Sequence, residues 1–316
     1  MSELVRIKHL ENPNITTFVN GKQINIRNFE ASVELEDAKA MMQGSFGYEL
    51  IGVYDNFLEY VNKIEILITN FGTSAPFEKV ILATPLAGQK LYSWNQYTEK
   101  LLNLELRENI HIVLTIDEPS SSWKDEVFLW AKENESKFAG ISIIEWDSDK
   151  NQAWNRVFKI TVGRQLIFNF VRTLSDVTHI WFVDSDTLPP SFALKRLLSH
   201  NRDHVAGFYR FKSVIAGGPV IFNGRGDVNW PPTCLGDQVT QLDTPDNLIE
   251  CDWTGAGCLL LSKKIYETFN FDWNKWIQRN GEDAWICLYA QKLTGRKLLV
   301  DLTVNCQHID ELGEVW

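Results

Sequence analysis

The chain has no apolar run approaching the roughly 20 residues that a membrane-spanning helix needs, so a role at a membrane would be exercised from the cytosolic surface. Its first residues, Met1-Ser2-Glu3-Leu4-Val5-Arg6, lack the basic-then-apolar pattern of a secretory leader. Cysteine is scarce. Cys234, Cys251, Cys258, Cys287 and Cys306 make an odd count with no Cys-x-x-Cys pair, which points to reduced thiols in a cytoplasmic protein. Basic residues are outnumbered: 31 Lys and Arg stand against 41 Asp and Glu, a net charge of −10. That balance argues against nucleic acid as a partner, because a phosphate backbone needs a basic face. Repeats and low-complexity segments are also missing.

What is present is an ordinary globular composition, 44% hydrophobic and 23% charged. Twelve Trp and eighteen Phe can fill a large core and leave some aromatic surface for binding. A length of 316 residues predicts one large domain or two unequal ones.

Residues 1–76 differ from the rest. An Asn20-Gly21 turn between two alternating runs over Thr16–Ile26 predicts a hairpin. Glu34–Met42 reads as a helix, Tyr60–Thr69 as a strand and Phe71–Pro76 as a linker. The expectation is a small α+β module of unknown role. From residue 77 strands and helices alternate. Strands are expected over Lys79–Thr84, Ile110–Ile116, Gly140–Glu145 and the run ending at Val183, with helices over Ser93–Leu104, Asp125–Glu133 and Val157–Leu174 between them. A helix over Phe192–Leu198, a strand over His204–Tyr209, a helix over Glu282–Leu293 and a last strand over Lys297–Val304 follow. The alternation predicts an α/β fold with a mostly parallel, Rossmann-like sheet flanked by helices. Residues 213–250, rich in Gly and Pro, read as a long functional loop.

The motif that carries most chemistry is His179-Ile180-Trp181-Phe182-Val183-Asp184-Ser185-Asp186. An apolar strand ends in two carboxylates at the edge where open α/β sheets bind ligands. Two hard oxygen donors there suit Mg²⁺ or Mn²⁺ shared with phosphates. The plainer alternative is a turn with solvated aspartates. Downstream, Gly255-Ala256-Gly257 lets bare backbone lie close to a ligand. Gly281-Glu282-Asp283 opens a helix, either complementing its dipole or aiming a carboxylate into a cleft. His308 follows the last strand, as a core histidine or a metal ligand.

In this order, these residues resemble a metal-dependent glycosyltransferase of the GT-A fold, over about residues 78–310. The resemblance makes 77–316 a catalytic domain that moves a sugar from a UDP- or GDP-sugar to an acceptor hydroxyl, with Mn²⁺ or Mg²⁺ as cofactor. It implies a metal held by Asp186 and His308, with Asp184 on the metal, its water or the ribose. It implies donor contacts from Thr84, Pro85, Leu86, Asp117, Arg164, Ser185, Gly255, Ala256 and Gly257. Each of Trp230, Trp253 and Trp285 reads alone as a core residue before a sugar platform, and among them Trp253, which abuts the glycine turn, is the favoured platform. Asp283 would deprotonate the acceptor with inversion at the sugar carbon, and Glu282 would support it. The acceptor is undefined. Two other classes use related parts. A haloacid-dehalogenase-type phosphohydrolase also has a D-x-D and a late acidic pair, but carries its D-x-D on the first strand of the domain. A sugar nucleotidyltransferase opens with a glycine-rich basic loop, where Pro85-Leu86-Ala87-Gly88-Gln89 has one glycine and only Lys90 nearby.

Overall fold

The computed structural model describes residues 4–9, 15–19, 22–27, 30–44, 48–50, 56–72, 79–86, 88–117, 123–151, 153, 155–211, 218–224, 236–273, 277, 281–310 and 312–315. Its centre is a nine-stranded sheet. Along the chain the strands are β1 (Leu67–Phe71), β2 (Lys79–Leu86), β3 (Ile110–Ile116), β4 (Gly140–Glu145), β5 (Val177–Val183), β6 (His204–Phe208), β7 (Leu248–Cys251), β8 (Cys258–Ser262) and β9 (Leu298–Asn305). Their order across the sheet is β7-β9-β6-β8-β5-β2-β3-β4-β1. Strands β2, β3, β4, β5, β6 and β9 run one way, and β1, β7 and β8 run against them. The fold is therefore α/β, with a mixed, mostly parallel sheet covered by helices, as the alternation predicts.

Side-chain alternation along the strands feeds two cores. Ile81, Ala83, Ile180, Phe182, Leu259 and Leu261 face one side, while Val80, Leu82, Trp181, Val183, Cys258 and Leu260 face the other. Both sets are buried because helices cover both faces, so the strands read as continuous apolar runs. Helices α1 (Trp94–Leu102), α2 (Trp123–Asn134) and α4 (Ala193–Ser199) pack on the second face. Helices α3 (Arg156–Val171) and α5 (Glu282–Thr294) pack on the first. The Asn155 side chain caps α3 by accepting from Phe158 N at 3.1 Å. Gly163 lets α3 settle on the sheet, since a Cβ there would stand 2.9 Å from Thr115 Oγ1 and 3.3 Å from Pro85 Cβ.

From β2 the chain winds outward through β3 and β4, then returns to the other flank of β2 as β5. Strand order reverses between β2 and β5. Such a switch point opens a crevice at the carboxyl ends of the strands.

The N-terminal hairpin forms as expected. Ile15–Val19 pairs with Lys22–Ile26, with Val19 opposite Lys22, and the expected Asn20-Gly21 turn lies outside the described residues. Leu4–His9 pairs with Glu30–Glu34 and Tyr48–Leu50, beside the helix Leu35–Gly44. Ile7, Ile24, Ile26, Met41 and Met42 join the same apolar cluster as Phe158 and Ile167 of α3.

Two expectations need correction. Tyr60–Thr69 is not one strand. Phe57–Lys63 is a helix capped by Asn56, and β1 begins at Leu67. Phe57, Val61 and Ile64 recur at helical spacing and are buried, which overrides the β-rich composition that follows. β1 then pairs with β4, so the sheet draws its edge strand from before residue 76. Within 213–250, Gly218–Pro219, Ile221–Gly224, Gly236–Gln238 and β7 are strands rather than loop. Trp230, Pro231, Pro232 and Cys234 lie outside the described residues, as does most of the expected 71–76 linker.

Candidate active site at the carboxyl edge of the sheet

Strand directions decide what meets at this edge. The parallel strands β2, β5, β6 and β9 deliver their last residues, hence Thr84–Leu86, Asp184–Asp186, Tyr209 and the segment to His308. Antiparallel β8 delivers the residues before its start, Gly255–Gly257. Helix α5 precedes β9 and packs against α3, and its first turn carries Glu282 and Asp283.

The D-x-D turn is stapled at both ends. Asp184 N donates to Gly257 O at 3.2 Å, and Thr187 N donates back to Asp184 O at 2.9 Å. Thr187–Leu188 then forms a short antiparallel ladder with Gln307–His308, Thr187 opposite His308, and Ile309 N donates to Asp186 O at 2.9 Å. This ladder brings His308 to Asp186, with Nε2 lying 3.6 Å from Asp186 Oδ2. The Tyr209 ring stacks on His308, centroids 6.0 Å apart and planes 21° from parallel. Lys90 Nζ sits 2.6 Å from the same Asp186 oxygen. Burial alone would raise the Asp186 carboxyl, but the Lys90 ammonium and His308 hold it well below the usual carboxylate range.

Asp184 stands in a second group. Arg164 is 2% exposed, its guanidinium over the Phe182 ring. It donates from Nη2 to Asp184 Oδ1 at 3.0 Å and from Nε to Glu282 Oε1 at 3.1 Å. Burial opposes its charge, and Asp184, Glu282 and Asp283 more than restore it. Asp283 follows Gly281, whose φ of +87° only glycine adopts without strain. Asp283 Oδ1 accepts from Ala284 N at 2.7 Å. Despite the helix N-terminus, burial first, then the neighbouring Glu282 and Asp184, push its carboxyl up to about 7.

Several expected donor contacts are committed elsewhere. Thr84 donates to Val183 O at 2.7 Å and shares a hydrogen bond with the Tyr97 hydroxyl, so its side chain ties β2 to β5. Asp117 pairs with Lys159 at 3.2 Å. Pro85 and Leu86 finish β2, with Leu86 in the core. Trp253 is buried and stacked on Phe222, centroids 6.0 Å apart, and Trp285 is likewise in the core. Neither ring is an exposed platform. The glycines make room for a side chain of this chain. A Cβ at Gly255 would lie 1.9 Å from the Tyr209 hydroxyl oxygen, and one at Gly257 2.7 Å from Thr187 Oγ1 and 2.9 Å from Tyr209 Cζ. Gly257 N donates to that hydroxyl at 3.3 Å. Ala256 between them is buried.

Lys90 and Tyr209 are the site residues that sequence reasoning missed. Tyr209 ended an expected strand at the ligand-binding edge, opposite a Gly-x-Gly, which is the signal that could have found it. Its hydroxyl is raised well above the ordinary range by burial and by Asp184, Asp283 and Asp186. Lys90 lies in a short 3₁₀ stretch, Gly88–Ser93, with no periodicity to mark it.

Asp184, Asp186, Glu282 and Asp283 outnumber the cations Lys90 and Arg164 here. Ser185 Oγ, Thr187 Oγ1, His308 Nδ1 and Arg164 Nη1 are buried without a hydrogen-bond partner among the described residues. Excess negative charge fits a cation, and the unused donors of Arg164, Ser185 and Thr187 fit oxygen atoms of a ligand that such a cation would accompany. Among the described residues no set of three His, Cys, Asp or Glu side chains is arranged around one point for a metal ion. The donors that converge are Asp186 and His308, a pair suited to an ion that completes its shell with phosphate and water.

The fold is α/β, with a candidate ligand site at the switch point of its sheet. No protein-family model matches the chain, and no curated protein matches it. Solved structures resemble it distantly. A197 from STIV is 12% identical, with a TM-score of 0.43 over 75% of this chain and 92% of that one. TarS from S. aureus is 12% identical, with a TM-score of 0.47 over 72% of this chain and 36% of that one. TarS 1-349 in complex with UDP-GlcNAc is 12% identical, with a TM-score of 0.45 over 70% of this chain and 55% of that one. At those scores the likenesses carry no argument. No helix among the described residues is long and apolar enough to cross a membrane.

Proposed function

We propose that the protein is a GT-A-like glycosyltransferase that transfers a sugar from a uridine or guanosine diphosphate sugar to an acceptor hydroxyl with a divalent metal. The observation that carries this is the meeting of Asp186 and His308, 3.6 Å apart, at the switch-point edge where the resemblance expects them. Both would hold Mn²⁺ or Mg²⁺. When bound, the ion would supply Lewis-acid neutralisation of the departing diphosphate. Arg164, charged and with Nη1 unpartnered, supplies a fixed positive charge beside Asp184. Asp283 is the base. A carboxyl pushed up to about 7 accepts a proton from a hydroxyl far better than an ordinary one at neutral pH. Glu282, held by Arg164, keeps its own charge close to Asp283 and so maintains that basicity. A base separate from the metal pair supports direct displacement with inversion.

The test is thermal denaturation with UDP, GDP and other nucleoside diphosphates, each with and without Mn²⁺. One nucleotide should raise the melting temperature only with Mn²⁺ present, by the equivalent of about 2.7 kcal/mol at 100 times its Kd. Asp186→Ala should fold and lose that shift. Shifts that ignore Mn²⁺, or that survive in Asp186→Ala, would refute the metal-dependent reading.

A further inference from the structure

Lys90 presents a competition. Its ammonium lies 2.6 Å from Asp186 Oδ2, the oxygen that His308 Nε2 approaches at 3.6 Å. The Tyr92 hydroxyl reaches it at 3.5 Å. A small divalent cation binds carboxylate oxygen at about 2.1 Å. An ion taking Asp186 Oδ2 would therefore have to share that oxygen with the ammonium already on it. Two cations on one carboxylate oxygen repel strongly where most water is excluded, and the Asp186 side chain is only 8% exposed. Lys90 itself is 20% exposed, so its side chain can turn toward solvent.

We propose that Lys90 is a resident counter-cation of the Asp186–His308 pair, which a divalent ion must displace in order to bind. The inference rests on the glycosyltransferase reading for its purpose, but not for its test. Its consequence is ordered loading. Metal alone binds weakly, because it must break an ion pair. A nucleotide diphosphate arriving with the metal brings negative charge that can receive the released ammonium. Metal and nucleotide therefore tighten one another, and that coupling is reciprocal.

The experiment is Mn²⁺ binding to the full chain, followed by the loss of the free-ion electron paramagnetic resonance signal. It compares the unaltered protein, Lys90→Met and Lys90→Arg, each with and without UDP or GDP, with near-ultraviolet circular dichroism as the check on folding. Without nucleotide, Lys90→Met should bind Mn²⁺ about tenfold more tightly, within the roughly 5–150-fold range typical of coupled sites. Lys90→Arg, which keeps a cation in place, should stay near the unaltered value. Nucleotide should tighten Mn²⁺ in the unaltered protein and much less in Lys90→Met. Equal Mn²⁺ affinities in the unaltered protein and Lys90→Met would overturn the inference, even if nucleotide binding proves metal-dependent. A gain in Lys90→Met with no nucleotide binding by any form would leave Lys90 as the counter-cation and count against the glycosyltransferase reading instead.

Discussion

Replacing Asp283 with asparagine should stabilise the protein at alkaline pH while abolishing transfer. The folded state raises this carboxyl from 3.8 to about 7. The unfolded chain therefore ionises it at lower pH than the folded one does. Between those two values the folded state binds the extra proton, so stability falls as pH rises. The penalty begins near pH 3.8 and is complete just above pH 7. At about 1.4 kcal/mol per pH unit the ceiling is about 4 kcal/mol. Partial exposure of the side chain reduces it to about 2 kcal/mol. Asparagine keeps the Oδ1 acceptor that Ala284 N uses and cannot ionise. Urea denaturation of both proteins should give matching stabilities near pH 3.5. A margin in favour of Asp283→Asn should then open between pH 5 and pH 8. On the proposed function, the transfer rate of the unaltered protein should climb through pH 7 as the carboxyl ionises. A margin that does not change with pH, or a variant less stable at pH 8, would refute the assigned basicity and with it the base.

Arg164→Met should cost about 3–5 kcal/mol in denaturant titrations, because it strands the Asp184 and Glu282 carboxylates without their buried cation. A loss below about 1 kcal/mol would mean that solvent already screens them. Gly255→Ala should lower stability by about 1–3 kcal/mol, because the new methyl meets the Tyr209 hydroxyl oxygen at 1.9 Å. Tyr209→Phe in the same chain should recover part of that loss, since the ring carbon beneath lies at 3.1 Å. A double variant no better than Gly255→Ala alone would show that the crowding lies elsewhere.

The central strands were legible because burial on both faces leaves mostly apolar side chains, with His111, Thr115, Ser142 and Glu145 the buried exceptions in the two strands that follow. Ile110–Ile116 and Gly140–Glu145 occupy the residues their apolar runs mark. Asp186 and His308 were legible for a related reason: each follows such a strand, and parallel strands end at a common edge. The first half of Tyr60–Thr69 was misread because three buried positions at helical spacing carry little weight in a stretch so rich in Ile, Leu and Thr. Thr84 and Trp253 were assigned to a ligand, yet the fold uses one to bridge strands and the other to fill a core. Residue type and position cannot separate those uses. Lys90 escaped because connecting segments have no periodicity, and its partner Asp186 lies on a distant strand.

The short ladder between Thr187–Leu188 and Gln307–His308 has a consequence for biosynthesis. A chain whose synthesis has passed Asp186 but not yet reached His308 already owns the acidic turn but not the imidazole that faces it. The sheet can begin to condense while the Asp186–His308 side of the crevice stays incomplete. The two sides meet in one step, when Gln307–His308 pairs with Thr187–Leu188, translated more than a hundred residues earlier.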